Sequence, residues 1–378
     1  MIGNMHGGST VSVDTVVIGG GQAGLAIGYH LRRQQRDIVI LDAGQRVGDA
    51  WRLRWDSLHL FTPAKYDRLP GMPFPADRLS FPSKDEVADY LEGYAARFAL
   101  PVTSGVRVDR LRREGDRFVS VAGNRRWESD NVVIATGGCQ QRTVPGFATE
   151  LGADVVQLHS SEYRRPAQLP PGPVLVVGVG NSGAEIAREL ARTHPVALAG
   201  TPTAEVPFLP SRMSARFVYP LVRVVGLHVL NRGNPLGRRL VPALAAKAAP
   251  LIGTKVSDLV AAGVRPVPRV SGVRDGLPEL DGGRPISVAS VIWCTGFRDD
   301  FDWVELGAFD EAGRPLQHRG VADTVPGLYF LGQEWLYAEA SATFPGIGRD
   351  AAHLAGRLDA ASRARTTRRE TVVGVRAA

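Results

Sequence analysis

Two glycine-rich turns carry the chemistry that can be read most directly from this sequence. Residues 19–24 read Gly-Gly-Gly-Gln-Ala-Gly and residues 178–183 read Gly-Val-Gly-Asn-Ser-Gly, so both fit the pattern GxGxxG. Each follows a short aliphatic run that predicts a buried strand, and each opens a stretch with helical periodicity. The free N–H groups and the positive dipole at such a helix start attract phosphate. Both turns therefore predict binding of a dinucleotide diphosphate.

The first turn belongs to a complete βαβ unit. Apolar runs at 16–18 and 38–41 predict parallel strands, and the amphipathic stretch 22–34 predicts the helix between them. Asp42 closes the second strand, 18 residues after Gly24. A carboxylate at this place accepts hydrogen bonds from the hydroxyls of a bound ribose.

The second turn differs from the first at the corresponding position. Thr201 stands 18 residues after Gly183, where the first unit has its aspartate. An aspartate would repel a 2′-phosphate, whereas a threonine hydroxyl can donate a hydrogen bond to one, which favours NADPH and leaves NADH as an alternative. Arg212 is either a clamp for this phosphate or an ordinary surface arginine. Asn181 and Ser182 either contact the dinucleotide or cap the helix.

Composition excludes several other kinds of site. The chain has 378 residues and a net charge of +7, with only four lysines among its 45 basic residues. We interpret this as arginine-rich composition and expect no nucleic-acid partner. Cys139 and Cys294 stand far apart without a CxxC motif, so a disulfide framework, a zinc ribbon and a sequence-adjacent redox thiol pair are all excluded. No metal site is expected.

Targeting signals are not evident either. No segment approaches the roughly 20 uncharged apolar residues that span a bilayer. Residues 1–14 lack a basic region followed by an apolar run, so they do not resemble a secretory signal. We expect a cytoplasmic protein that is a monomer or a homodimer.

The order of these units predicts an α/β fold with two Rossmann-like dinucleotide-binding domains, the second inserted into the first. Two strands that end in Thr-Gly, at Thr136 and Thr295, mark the expected crossovers between the domains. The predicted division is a disordered N-terminus 1–13, a first domain 14–165 plus 290–358, a second domain 166–289 and a flexible tail 359–378.

The insertion 207–255 leaves two interpretations open. Phe217, Leu221 and Val225 fit an amphipathic helix with Arg216 and Arg223 nearby. The sequence favours a lid or packing helix over the site, and a membrane-surface or substrate-access patch is the less favoured alternative.

Over nearly its whole length the chain resembles the flavin-containing monooxygenase family, the class B flavoprotein monooxygenases in the broad sense. The likeness extends most clearly to the short indole-3-pyruvate-monooxygenase-like members. It rests on both glycine turns and on segments that are similar to family motifs: Gly48-Asp-Ala-Trp-Arg52, Leu58-His-Leu-Phe-Thr62, Pro73-Phe-Pro75, Ala135-Thr-Gly137, His159-Ser-Ser-Glu-Tyr163 and Gly327-Leu-Tyr-Phe-Leu-Gly332.

The chain also departs from the family pattern. Ala153 and Val155 stand where the FxGxxxHxxx[YF] signature has Phe and Gly, and Asp49 replaces a glycine of the flavin loop. Thr62 with Pro63 stands where some members carry an asparagine near the flavin, so the resemblance does not carry the role of that asparagine over to this chain. Thr201 replaces a residue that is commonly basic, which weakens the preference for NADPH.

The resemblance implies that the first turn holds FAD and the second NAD(P)H. The implied FAD contacts are Gly19, Gly21, Gln22, Ala23, Gly24, Asp42, Gly48, Trp51, Leu60, Thr62, Val108, Ala135, Thr136, Gly137, Gly332 and Gln333. The implied NAD(P)H contacts are Gly178, Gly180, Asn181, Ser182, Gly183, Thr201, Arg212, Thr295 and Gly296. No side chain is assigned a catalytic role, and His159 is expected to orient the crossover.

The implied reaction is the insertion of one oxygen atom from O2 into a small organic substrate through a C4a-(hydro)peroxyflavin. The protein's part is to position the substrate and exclude water from a labile intermediate. An NAD(P)H:acceptor oxidoreductase that reduces a quinone or a ferredoxin is the second candidate. A dinucleotide-binding sensor without enzymatic activity is the third.

Overall fold

The computed structural model describes residues 10–245 and 247–376, the last of these from 364 onward by backbone alone. In chain order the strands are β1 Thr10–Ile18, β2 Ile38–Leu41, β3 Val102–Thr103, β4 Arg110–Glu114, β5 Arg117–Ala122, β6 Arg125–Ile134, β7 Gln141–Arg142, β8 Val156–His159, β9 Val174–Val177, β10 Val196–Ala199, β11 Arg265–Val267, β12 Val270–Arg274, β13 Leu277–Leu280, β14 Arg284–Pro285, β15 Ser290–Trp293, β16 Phe297–Arg298, β17 Gln317–His318, β18 Val321–Ala322 and β19 Leu328–Phe330.

The helices are α1 Gln22–Arg33, α2 Asp49–Arg52, α3 Lys84–Arg97, α4 Asn181–Leu190, α5 Arg212–Phe217, α6 Tyr219–Val224, α7 Pro235–Ala245, α8 Val256–Ala261 and α9 Phe344–Arg376. A π-helical turn covers Val225–Val229, and short 3-10 turns cover Gly146–Glu150, Pro166–Gln168 and Glu339–Ala342. No helix in the described part of the chain is long and apolar enough to cross a bilayer.

The first sheet is built around β1 and has the order β17-β18-β19-β6-β1-β2-β3. Five of its strands run parallel to one another, namely β19, β6, β1, β2 and β3. The hairpin β4–β5 joins this sheet through β5, which pairs antiparallel with β6. Val17 packs with α1 and α9 on one face, while Val16 packs against the β4–β5–β6 meander on the other. Because both faces of the sheet are covered at β1, consecutive residues of this strand are apolar, which is the pattern from which the strand was predicted.

The second sheet has the order β11-β10-β9-β15-β8, and all its strands are parallel. Val174 and Val176 of β9 pack against Ile186 and Leu190 of α4. Because this sheet is formed by chain that lies between β6 and β19, the predicted insertion of one Rossmann-like unit into the other is confirmed.

The expected domain boundaries at 165 and 290 are wrong. β8 and β15, both assigned to the first domain, pair with each other in the second sheet, with His159 opposite Trp293. β15 also bonds to β9 along its whole length, from Ser290 opposite Val174 to Trp293 opposite Val177. Both strands belong to the second unit because their backbone partners do, and the chain changes domains before β8 and after β15.

The predicted disorder of residues 1–13 is partly wrong. Thr10 to Val13, expected to be disordered, are strand residues paired with β6, with Thr10 opposite Arg126. The described part of the predicted tail, residues 359–376, continues the helix α9, and its flexibility stays a prediction. The remaining parts of these two predictions, 1–9 and 377–378, lie outside the described residues.

The insertion 207–255 is largely helical and contacts loops of the first domain. Ser214, Ala215 and Tyr219 are buried. The Tyr219 hydroxyl donates to the carbonyl of Phe61. These contacts agree with a segment that covers the first domain, and its role as a lid stays a prediction.

Candidate functional site

The two glycine-rich turns have the same backbone construction. Gly19 and Gly178 both have a φ of +111°, in the region that disfavours residues with a Cβ. A Cβ at Gly19 would overlap the carbonyl oxygen of Ala135, and one at Gly178 would overlap that of Cys294. Each turn therefore needs glycine because it lies directly against the end of a neighbouring strand.

The last glycine of each turn brings helix and strand together. A Cβ at Gly24 would overlap the carbonyl oxygen of Gly19, and one at Gly183 would overlap that of Gly178. These contacts let α1 and α4 begin directly on the turns that precede them.

The middle glycines, Gly21 and Gly180, face open space. No described atom lies within 4 Å of the place where a Cβ would stand at either residue. Both are helix N-caps without a side-chain hydrogen bond to the first turn. The N–H groups and the room that a diphosphate requires are thus present at both helix starts, so both turns fit the predicted dinucleotides.

Asp42 is held at the end of β2 beside the first turn. Its carboxylate accepts hydrogen bonds from the backbone N–H of Gly20 and, at 2.7 Å, from that of Gly44. Each carboxylate oxygen keeps lone-pair capacity for a further donor. The N–H of Val106 donates to the Asp42 carbonyl at 2.7 Å, which brings the buried Val108 into the same neighbourhood. A ribose contact at Asp42 stays a prediction.

The chain after β19 returns to the start of α1. Gly332 has a φ of +80°, and a Cβ there would stand 2.7 Å from the Cβ of Ala23. The Gln22 amide donates to the carbonyl of Ala342 at 3.5 Å. Gln333 is buried, and its Nε2 has no hydrogen-bond partner among the described residues. A buried amide donor without a partner fits a site completed by a ligand acceptor, as a flavin ring provides.

The flavin-loop motif lies at the same end of the sheet. Gly48 has a φ of +92°, and the Trp51 ring lies 6.3 Å from the ring of Phe344 at the start of α9. Leu60, Phe344 and Ala23 belong to one apolar cluster. The fold therefore brings four of the predicted residues to one region: Trp51, Leu60, Ala23 and Gly332. The predicted residues 135–137 follow β6 and adjoin the Gly19 turn in the same region.

Sequence reasoning missed one residue of this region, Asp67. It is fully buried, its Oδ1 accepts from the Thr62 hydroxyl, and its Oδ2 has no partner among the described residues. Burial raises the pKa of Asp67 to about 8, and the hydrogen bond from Thr62 opposes this shift. Asp67 therefore holds a proton at neutral pH next to a predicted flavin contact. Only the burial of this loop residue identifies it, and the sequence carries no signal for that.

The raised pKa of Asp67 predicts a stability that falls with pH. Below about pH 4 the group is protonated in both states, and between about 4 and 8 only the folded protein binds the proton, so unfolding becomes easier as pH rises. Asp67→Asn keeps an acceptor for Thr62 and removes the titration. Its melting temperature should match the wild type near pH 4 and exceed it by at least about 3 °C at pH 9, the equivalent of about 1 kcal/mol.

Calorimetry of both proteins from pH 4 to pH 9 measures this difference. Asp116→Asn, at an exposed position in the β4–β5 turn, is the matched control and should show no pH-dependent gain. A constant difference between Asp67→Asn and the wild type would show that Asp67 does not titrate in this range.

Each glycine-rich turn and the helix start that follows it form a cradle for a diphosphate. The insertion partly closes the second cradle, at residues 178–183. The Asn181 amide donates to the carbonyl of Pro250 at 3.0 Å, and its Oδ1 accepts from the N–H of Ile252 at 2.8 Å. Thr201 is exposed at the end of β10, next to Gly200, where a Cβ would stand 3.2 Å from the Val179 side chain. Thr201 therefore adjoins the turn, as a ribose-binding residue must. Ser182 is half-buried at the start of α4.

Arg212 has a different partner from the predicted phosphate. Its guanidinium forms an ion pair with Asp77 at 2.9 Å, between the insertion and a loop of the first domain. Both side chains are more than half exposed, so the pair is screened by solvent and can be given up at little cost. A role for Arg212 as a clamp stays a prediction.

His159 holds the two crossovers between the domains together by hydrogen bonds. Its Nε2 donates to the carbonyl of Gly296 at 3.1 Å, and its Nδ1 accepts from the Ser161 hydroxyl at 2.9 Å. Burial lowers the pKa of His159, which favours the neutral ring that these two bonds require. The Thr295 hydroxyl donates to the carbonyl of Thr143, and the two linkers pair as the short ribbon β7–β16. These contacts support the structural role that was expected for His159.

Comparison with known proteins agrees with this architecture. Residues 16–205 match the family described as pyridine nucleotide-disulphide oxidoreductase. The chain is 38% identical to an uncharacterized oxidoreductase CzcO-like of Geobacillus kaustophilus, over 90% of this chain and 97% of that protein. It is 28% identical to the probable indole-3-pyruvate monooxygenase YUCCA7 of Arabidopsis thaliana, over 79% of this chain and 77% of the relative.

A solved structure is similar over almost the whole fold. The flavin-containing monooxygenase from Stenotrophomonas maltophilia aligns with a TM-score of 0.74 and 31% sequence identity, and the match covers 93% of this chain and 99% of that one. The likeness therefore includes both Rossmann-like units and the crossovers between them.

Proposed function

The chain belongs to the flavin-containing monooxygenase branch of the pyridine nucleotide-disulphide oxidoreductases, and we propose on this premise that it is an NADPH- and O2-dependent monooxygenase of small organic substrates. In this proposal FAD binds at the turn 19–24 and NADPH at the turn 178–183. The members of this branch are oxidoreductases with flavoprotein chemistry, and the proposal adds the cofactor assignment and the transfer of oxygen.

One observation carries the proposal: two turns of the same construction, with a buried donor without a partner in the chain segment that adjoins the first. Gly21 and Gly180 each leave room for a diphosphate. Gln333 follows Gly332, which adjoins Ala23 in α1, and its buried Nε2 has no partner among the described residues. A single-nucleotide enzyme would need only one of these cradles.

Bound FAD would supply oxygen activation, and bound NADPH would supply the hydride. The chain itself positions both cofactors and limits access of water. Trp51, Leu60 and Phe344 form an apolar surface at the predicted flavin end. Asp67 keeps its proton at neutral pH and so adds no negative charge beside Thr62. The contact from Tyr219 to Phe61 closes the insertion over this loop.

The proposal is tested on the purified FAD-loaded protein by rapid mixing with NADPH or NADH and then with oxygenated buffer. We expect faster bleaching of the flavin by NADPH, then a transient absorbance distinct from that of oxidised flavin. With substrate present, oxygenated product should form in proportion to the NADPH consumed. Direct reoxidation that releases all the oxygen as hydrogen peroxide, together with fast reduction of a quinone, would instead support an acceptor oxidoreductase.

Thr201 predicts the choice between the two nicotinamide dinucleotides. In Thr201→Asp, a carboxylate next to the second turn would accept from a free ribose and repel a 2′-phosphate. The ratio of kcat/KM for NADPH over NADH should fall by about 100-fold, the equivalent of about 2.7 kcal/mol. Thr203→Asp, two residues further along, is the control and should change this ratio far less. An unchanged ratio in Thr201→Asp would show that the ribose binds elsewhere.

A further inference from the structure

The positive charge of this protein is concentrated in one segment. Residues 206–257 contain eight basic residues and no aspartate or glutamate, whereas the remaining chain carries 37 basic and 38 acidic residues. The net charge of +7 therefore arises in this segment, because the basic and acidic residues of the remaining chain nearly balance.

Exposed apolar side chains are concentrated in the same segment. Of the 14 large hydrophobic residues that are exposed in the described chain, eight lie in it: Leu209, Met213, Phe217, Leu221, Val222, Val224, Leu236 and Leu240. Phe217 is 63% exposed and Leu221 is 65% exposed. Exposed apolar side chains that adjoin one another on a protein surface mark an interaction surface.

Helical spacing places these side chains on one face. Met213, Phe217, Leu221 and Val224 follow one another at intervals of four, four and three residues through α5 and α6. The helical path is continuous, because Val218 between the two helices is itself in the right-handed α conformation. The buried side chains Ala215 and Tyr219 lie on the opposite side, toward the first domain.

Arginines border this apolar face. Arg212, Arg216 and Arg223, spaced by four and seven residues, share the adjoining face of the same helical run. Two of them also contact loops of the first domain, since Arg212 pairs with Asp77 and the Arg223 guanidinium lies 5.4 Å from the Tyr66 ring centre. The Arg216 guanidinium lies 5.5 Å from the Phe217 ring centre. Arg238 and Arg239 add exposed charge on α7. An apolar stripe flanked by arginines, without any carboxylate in its own segment, is the pattern of a helix that lies in a membrane interface.

We propose that the outer face of α5–α6, with the arginines of α7, docks the protein onto an anionic lipid surface. Lipid phosphates would neutralise the arginines while Phe217 and Leu221 enter the boundary between headgroups and acyl chains. A free polyanion would leave the apolar stripe in water. A second copy bound through the same face would bring two sets of arginines together, without carboxylates from either segment between them. The inner face can cover the first domain at the same time, so the two sequence-based interpretations of the insertion are compatible with each other.

The test is cosedimentation of the FAD-loaded protein with vesicles, and it reads no enzyme activity, so it is independent of the proposed function. The vesicles contain equal parts of phosphatidylcholine and phosphatidylglycerol, or phosphatidylcholine alone. We expect binding to the first kind only, and weakening as sodium chloride is raised. The double variant Phe217→Ser with Leu221→Ser should lose at least about tenfold in vesicle affinity. Arg216→Gln with Arg239→Gln should lose about fivefold for each arginine removed.

The matched controls are Val260→Ser and Arg265→Gln, which change exposed residues outside the segment and should bind as the wild type does. The flavin absorbance of each variant confirms that it is folded and loaded. Absence of binding, equal binding to neutral vesicles, or binding that survives both double variants would overturn the proposal. Self-association without lipid that is abolished by Phe217→Ser with Leu221→Ser would assign the face to a second copy instead.

Discussion

Gly21→Ala is expected to yield a folded protein that has lost its FAD. No described atom lies within 4 Å of the Cβ position, so the substitution costs the polypeptide no overlap, and φ at this residue is an ordinary −77°. The added methyl group instead occupies the side from which the diphosphate must approach the N–H groups of α1. We expect FAD affinity to fall by at least about 100-fold, the equivalent of about 2.7 kcal/mol.

The ratio of flavin to protein absorbance after purification measures this loss. Two further substitutions serve as controls, one that should leave FAD binding unchanged and one that should disrupt the fold. Gly356→Ala, at an exposed position of α9 with open space around it, should retain FAD fully. Gly24→Ala should fail to fold normally, because its Cβ would overlap the carbonyl oxygen of Gly19. Full flavin occupancy in Gly21→Ala would show that the diphosphate does not approach this side of the turn.

The features that sequence alone predicted correctly are those set by neighbouring residues. The turn at Gly19 requires a positive φ and a helix that starts at once, and both requirements lie within one βαβ unit, whereas the strand end that the turn lies against belongs to the distant β6. The repeat at Gly178 reproduces each contact, with Cys294 in the place of Ala135. Hence the pattern and its local context were sufficient to predict both cradles.

The features that sequence could not supply depend on distant partners. β15 has the apolar character of a strand in either sheet, and only its bonds to β8 and β9 decide which one it joins. Asp67 is an unremarkable loop residue by its neighbours and becomes a protonated carboxylic acid only through burial. The outer face of α5–α6 likewise becomes a candidate interface only because the fold leaves it uncovered.

Gly180→Ala is expected to separate the two cofactors. Its Cβ also faces open space, with no described atom within 4 Å, and its φ of −92° suits alanine. The protein should therefore fold and keep FAD, while the methyl group blocks the diphosphate of the nicotinamide dinucleotide at the start of α4. We expect the NADPH concentration for half-maximal flavin reduction to rise by at least about 100-fold, the equivalent of about 2.7 kcal/mol.

Stopped-flow reduction of the FAD-loaded variant measures this shift, and dithionite provides the control, since it should still bleach the flavin at the wild-type rate. Comparison with Gly21→Ala tests both assignments at once, because each variant should affect only the cofactor held by its own turn. If the turn at 19–24 holds FAD and the turn at 178–183 holds NADPH, one alanine removes the flavin and the other only the reductant. Loss of FAD in Gly180→Ala, or wild-type reduction by NADPH, would contradict the assignment of the two turns. Each variant adds a single methyl group at the equivalent position of its turn. A selective loss of FAD in one variant and of NADPH binding in the other therefore could not be ascribed to a general effect of alanine on folding.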